Sequence, residues 1–233
     1  SLRTPLYCQA VLFLGLIPLA WSLVEPSYQR LKSDENSFKA ILRIVHYALH
    51  GHAEIKWLIL YSSLVGTSTF TIVWFVQPYF SAVDLPLELF GIGWATLQFF
   101  IGIFALNAYR IESWLGRRNA LIALILLASG AYIALGAFQT LWALNFLLVF
   151  CFVRGVNGPV LNDYINRCIE SDVRATVLSV KALVGRLMFA TLGPAVGWVS
   201  DTYSLAAAFL VCGVVFLVCG LIFLFFLNRN DVL

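Results

Sequence analysis

Apolar runs separated by short polar stretches set the rhythm of this chain. Seven runs stand out, at residues 6–24, 57–77, 87–108, 119–138, 141–161, 177–199 and 205–227. Each is close to the roughly 20 apolar residues that a helix needs to cross a bilayer core. None shows the period-two alternation of a barrel strand, and an open sheet in lipid would leave backbone groups unpaired. The pattern therefore predicts an all-α fold, a polytopic membrane helix bundle of about seven transmembrane helices.

The polar stretches divide those runs unevenly. On one side they fall at 78–86, 139–140 and 200–204 and hold no Lys or Arg. The other side carries Arg30, Lys32, Lys39, Arg43 and Lys56, then Arg110, Arg117 and Arg118, then Arg167 and Arg174, with Lys181 just inside the next run and Arg229 in the tail. Lys and Arg concentrate on the cytoplasmic side of membrane proteins. The C-terminus is thus expected inside and the N-terminus outside, with Arg3 as the one exception. The longest polar stretch ends in an amphipathic pattern. Phe38, Ile41, Leu42, Val45 and Leu49 form one stripe, opposite Lys39, Arg43, His46 and His50, as in a short helix at a membrane surface. The expected organisation is one helix at 1–24, a cytoplasmic linker with this amphipathic helix at 25–55, and a six-helix bundle at 56–233.

Composition agrees with lipid as the solvent. Hydrophobic residues make up 61% of the chain and charged residues 12%, whereas soluble domains are about half apolar and a quarter charged. The five cysteines include no C-x-x-C pair and read as small buried hydrophobes. His46, His50 and His52 have no cysteine or carboxylate shell beside them, so no metal site is expected. No phosphate-cradling glycine loop, triad spacing or nucleic-acid patch is present. Neither an enzyme nor a nucleic-acid binder is expected, and no cofactor. The chain begins at Ser1 and its one methionine is Met188, so it reads as a piece of a longer or processed protein.

Several local motifs occur in a suggestive order. The first run ends Val24-Glu25-Pro26-Ser27. The loop after the third ends Leu115-Gly116-Arg117-Arg118. The fifth contains Arg154-x-x-x-Gly158. The sixth enters as Arg174-Ala175-Thr176-Val177-Leu178-Ser179 and closes Gly193-Pro194-x-x-Gly197-x-x-x-Asp201. This order resembles the C-terminal part of a major facilitator superfamily transporter of bacterial type. The matching part would be the last helix of the first half, the central linker and the six-helix second half. The loop motif departs from the family by lacking its leading Gly and Asp. The resemblance implies nested three-helix inverted repeats and alternating-access transport of a small solute bound near the bilayer midplane. It implies a secondary transporter in the plasma membrane (the bacterial inner membrane), whose partners are the bilayer, an unidentified small molecule and the preceding half of the same protein. It also implies that the second and fifth spans line the solute cavity.

The residues of those spans bear on that implication. Ser63, Thr67, Thr71 and Trp74 fall at i, i+4, i+8 and i+11, on one face, with Gln77 following. Such a face suits solute contact, and equally suits hydrogen-bonded helix packing; Trp74 also suits the interfacial belt. Arg154, with Asn157 at i+3, lies about 10 Å or more from the inner surface at a rise of roughly 1.5 Å per residue. Lipid exposure of such an Arg costs at least about 2.5 kcal/mol, so it is expected to face the bundle or water. Arg186 lies at similar depth. Two roles compete. Either arginine attracts an anionic or polar solute, or it pairs with Asp163 or loop carboxylates in an inner latch that also involves Arg117 and Arg118. Gly193 and Gly197 form Gly-x-x-x-Gly, a close-packing pattern, and Pro194 between them is a hinge candidate. Unchanged transport in Pro194→Ala would remove that role. No Asp or Glu lies in the middle of a run, so a proton-relay carboxylate is expected elsewhere, or the driving ion is another one.

Two rival classes share some of these features. A seven-helix receptor has the same span count and sidedness, but no outer-loop cysteine or Asn-Pro-x-x-Tyr is present. A non-transporting membrane sensor or scaffold on the transporter fold is the other, since fold does not dictate function.

Overall fold

The structure is a computed structural model that describes residues 4–23 and 53–230. The amphipathic helix expected in the linker, and His46, His50 and His52, lie outside the described residues. Among those described, the regular structure is helical, with no strand. The chain forms two compact units. The first contains α1, Thr4–Trp21, with Pro18 inside it. The second contains α2 (Ala53–Ala82), α3 (Phe90–Leu106), α4 (Ala108–Leu115), α5 (Arg117–Ala137), α6 (Phe146–Arg167), α7 (Ser171–Thr202) and α8 (Leu205–Arg229).

Six helices among the described residues are long and apolar enough to cross a membrane, namely α2, α3 with the turn before it, α5, α6 with the turn before it, α7 and α8. These six coincide with the second to seventh of the expected spans. The first expected span is helical over Thr4–Trp21, and the Ser22 N–H closes its end on the Pro18 and Leu19 carbonyls.

Within the second unit α2 is the central helix. Of its most apolar window 67% is buried, against 6% for α3 and 11% for α7. The main packings are α5 on α8, α3 on α6, α2 on α7, α2 on α6, α2 on α8 and α5 on α6. Apolar burial alone does not drive these contacts in lipid, so close fit and interhelical hydrogen bonds must supply them. The fit is visible at α6, where a Cβ on Gly155 would lie 2.8 Å from the Ile101 carbonyl oxygen and 3.0 Å from the Ala105 nitrogen of α3. Gly213 and Gly220 let α8 approach α5 in the same way. The Gly193 and Gly197 pair does not act so. A Cβ at Gly193 would meet only the Phe189 ring of its own helix, and one at Gly197 would meet nothing within 4 Å. The spacing is present, but among the described residues no neighbouring helix approaches it within 4 Å. Pro194 sits inside an uninterrupted α7.

Three tyrosines join α2 to α5 at successive heights. The Tyr61 hydroxyl donates to the Leu121 carbonyl, and the Tyr79 hydroxyl donates to the Phe138 carbonyl at 2.7 Å. The Tyr132 hydroxyl returns from α5 to the Ser68 carbonyl at 2.6 Å. All three rings are fully buried. Placing each hydroxyl on a carbonyl satisfies a donor that lipid could not.

Gly116 separates α4 from α5. Its φ of 76° is a left-handed value that glycine adopts without steric cost, and its N–H caps α4 on the Glu112 carbonyl at 2.8 Å. This turn brings Arg117 to the same end of the bundle as the start of α2 and the end of α6, where Arg117 meets Glu54 and Tyr164.

Candidate functional site

The longest cluster of buried polar residues lies in the middle of α2. Ser62, Ser63, Thr67, Ser68, Thr69 and Thr71 are all buried. Three of them bond within their own helix: Ser68 to the Val65 carbonyl, Thr69 to Gly66 and Thr71 to Thr67. Such back-bonding satisfies the hydroxyl without a partner helix. Ser63 and Thr67 instead reach across to α7. The Ser63 hydroxyl donates to the Lys181 carbonyl at 3.1 Å and the Thr67 hydroxyl to the Gly185 carbonyl at 3.2 Å.

Beside this seam the two helices part. A cleft of about 390 Å³ opens between them. Its α2 wall is Ser62, Ser63, Gly66, Thr67 and Phe70, and its α7 wall is Lys181, Ala182, Gly185, Arg186 and Phe189; Asn157 of α6 reaches it as well. The Lys181 ammonium donates to Asn162 Oδ1 at 2.6 Å. Phe70 and Phe189 meet edge to face at 4.7 Å, and Trp74 lies over Phe189 at 6.2 Å.

The predicted residues distribute as follows. Ser63, Thr67, Asn157 and Arg186 line the cleft. Thr71 is buried and bonded within α2. Trp74 and Gln77 share a separate hollow of about 320 Å³ with Val73 and Trp94. Arg154 is not in the cleft. It borders a void of about 30 Å³ among α2, α3 and α6, and its Nη1 donates to the Thr69 carbonyl at 3.4 Å. It therefore lies at the junction of these three helices.

Asp163 is not the counter-charge of Arg154 or Arg186. It pairs with Arg167 at 2.7 Å, one turn further along its own helix. Nine residues separate Arg154 from Asp163, which puts them on opposite faces and about 13 Å apart along the axis. Arg117 does enter a charged cluster at the basic end. It lies 3.8 Å from Glu54, and its guanidinium sits 4.6 Å from the centre of the Tyr164 ring, whose hydroxyl donates to Glu112 Oε1 at 2.5 Å. Arg118 is exposed.

Cys168 belongs to the same cluster, its thiol donating to Glu54 Oε1 at 3.2 Å. Burial pushes its pKa up to about 11, and the hydrogen bond and charge of Glu54 add to that shift. Both favour the neutral thiol, so thiolate is scarce at pH 8. Glu54→Gln removes the charge and lowers the pKa. Alkylation of Cys168 by a maleimide at pH 8 is therefore expected to accelerate several-fold, because the thiolate is the nucleophile. An unchanged rate would show that Glu54 does not govern this thiol.

Sequence reasoning missed Lys181, Phe70 and Phe189 as site residues. A signal existed. Positions 62, 63, 66, 67 and 70 of α2 and positions 181, 182, 185, 186 and 189 of α7 follow nearly the same one-face spacing, with small residues in the middle of each. The spacing acquires meaning only once α2 and α7 are known to pair.

Among the described residues no group of three or more His, Cys, Asp or Glu side chains is placed to hold a metal ion. No protein-family model, curated protein or solved structure matches this chain. What fold and site define is a helical membrane protein with six long apolar helices among the described residues and a cleft between two of them whose charged lining is Lys181 and Arg186.

Proposed function

We propose that this chain is the second half of a secondary transporter of the major facilitator type, and that the α2–α7 cleft forms part of its solute site. The single observation that carries the reading is the cleft itself: a mostly apolar hollow between two packed helices, with Lys181 and Arg186 in its wall. Lys181 and Arg186 lie ten and fifteen residues into α7, about 15 and 22 Å along a helix of some 48 Å. Solute sites near the midplane between helices are characteristic of such carriers.

The packing pattern supports the reading. Exchanging the triplet α2, α3, α5 with the triplet α6, α7, α8 carries six of the packings onto one another or onto themselves, while α7–α8 has no matching α3–α5 packing. The α3–α6 contact becomes α7–α2, α2–α8 becomes α6–α5, and α5–α8 and α2–α6 map onto themselves. A nested three-helix repeat produces this exchange. By this reading α1 ends a preceding half, which supplies the opposite wall of the cavity. The basic end faces the cytoplasm of a bacterial cell, placing the C-terminus inside.

The test uses Ala182→Cys, at an exposed cleft position. The protein is expressed with whatever coding sequence its gene places upstream, and reconstituted in vesicles. A membrane-impermeant maleimide is expected to label the introduced thiol from both sides in turn, without a steady ion leak. Labelling confined to one side would leave the scaffold or sensor reading in its place.

A further inference from the structure

We infer that the α2–α7 cleft takes a small organic anion with an apolar body. The inference rests on reading this cleft as the solute site, and adds the chemistry of its occupant. Among the described residues the charged side chains lining it are Lys181 and Arg186, with no carboxylate. The ion pairs among the described residues are Glu54 with Arg117 and Asp163 with Arg167, and neither cleft cation enters one. Lys181 spends one donor on the neutral Asn162 amide. Two cations are thus held near mid-membrane, where an unpaired charge is costly, and an anion in the cleft would neutralise both. Asn157 adds an amide whose Oδ1 is buried without a hydrogen-bond partner. That oxygen is an acceptor, so it calls for a donor group on the body of the occupant rather than for its anionic group.

The other end of the cleft differs in character. Phe70 and Phe189 border it with their rings 4.7 Å apart. Along α7 an occupant therefore meets Lys181 first, then Arg186, with the aromatic rings one turn beyond Arg186. A volume of about 390 Å³ falls within the range of small-molecule sites.

Three probes of similar shape separate the charge requirement from the apolar one: benzoate, benzamide and benzylammonium. The full-length protein in detergent carries Ala182→Cys, and alkylation of the introduced thiol by N-ethylmaleimide is quantified by peptide mass spectrometry. Benzoate is expected to slow alkylation about fivefold or more, while benzamide and benzylammonium leave it within about twofold. Arg186→Gln and Lys181→Gln are each expected to raise the half-protecting benzoate concentration about tenfold, the equivalent of 1.4 kcal/mol. Arg186→Lys should restore much of the protection. The rate without ligand controls for an intact cleft in every variant. Equal protection by benzamide, or benzoate protection unchanged in both Gln variants, would overturn the inference. Two-sided labelling at position 182 reports on the transport cycle whatever the charge preference, so the two readings fail separately.

Discussion

Gly155→Val is expected to destabilise the protein by about 2–3 kcal/mol, within the usual range for overpacking a fitted core. A loss of roughly 5–10 °C in the thermal midpoint of the detergent-solubilised protein follows at the usual proportion for chains of this size. The reason is specific. A Cβ at this position would lie 2.7 Å from Phe104 Cβ and 2.8 Å from the Ile101 carbonyl oxygen of α3. Neither atom can rotate away, so α3 and α6 must separate. Gly158→Val is the matched control, because it changes helix propensity in the same way on the same helix but meets nothing within 4 Å. Equal midpoints for the two variants would mean that α3 and α6 do not cross at Gly155.

The second large effect is expected at Tyr132. This side chain is fully buried and touches three other helices. Its hydroxyl bonds the Ser68 carbonyl of α2 at 2.6 Å. Its ring meets Phe150 of α6 at 4.7 Å, and Phe209 and Phe216 of α8 at 5.9 and 5.5 Å. In lipid the unfolded helices are already in an apolar medium, so truncation costs mainly the cavity and the lost contacts. Tyr132→Ala is expected to cost about 3 kcal/mol, at the low end of aromatic-to-alanine changes in soluble cores. Tyr132→Phe keeps the ring and should cost only about 0.6–1 kcal/mol, the scale of an interhelical hydrogen bond in a membrane protein. Unfolding in a denaturing detergent series would rank the two. A loss in Tyr132→Phe as large as in Tyr132→Ala would place the stabilisation in the hydroxyl rather than the ring.

How much of this is legible in the sequence depends on whether the relevant quantity runs along one helix or between two. Apolar length is a property of one segment, so the six crossing helices can be read from the residues alone. The face shared by Ser63 and Thr67 is readable for the same reason. Facing direction is a property of pairs, and on that the sequence is silent. Arg154 and Arg186 have similar depths by residue count, yet one sits at a helix junction and the other in the cleft. The Gly193–Gly197 spacing is legible, but whether a described helix approaches it is not. Gly155, with no such spacing, lies against the backbone of α3. Lys181 reads as a residue of the basic loop, because its distance from the helix start says nothing about the neighbour it faces.

The seam between α2 and α7 has a consequence for how this protein can vary. Both of its hydrogen bonds run from hydroxyls of α2 to main-chain carbonyls of α7. A main-chain carbonyl is present whatever side chain its residue carries. The α7 positions at the seam can therefore exchange their chemistry while the two helices stay fastened, whereas Ser63 and Thr67 cannot. Diversification of what the cleft accepts should accordingly be recorded on α7, with α2 as the fixed rail against which new specificities are tried.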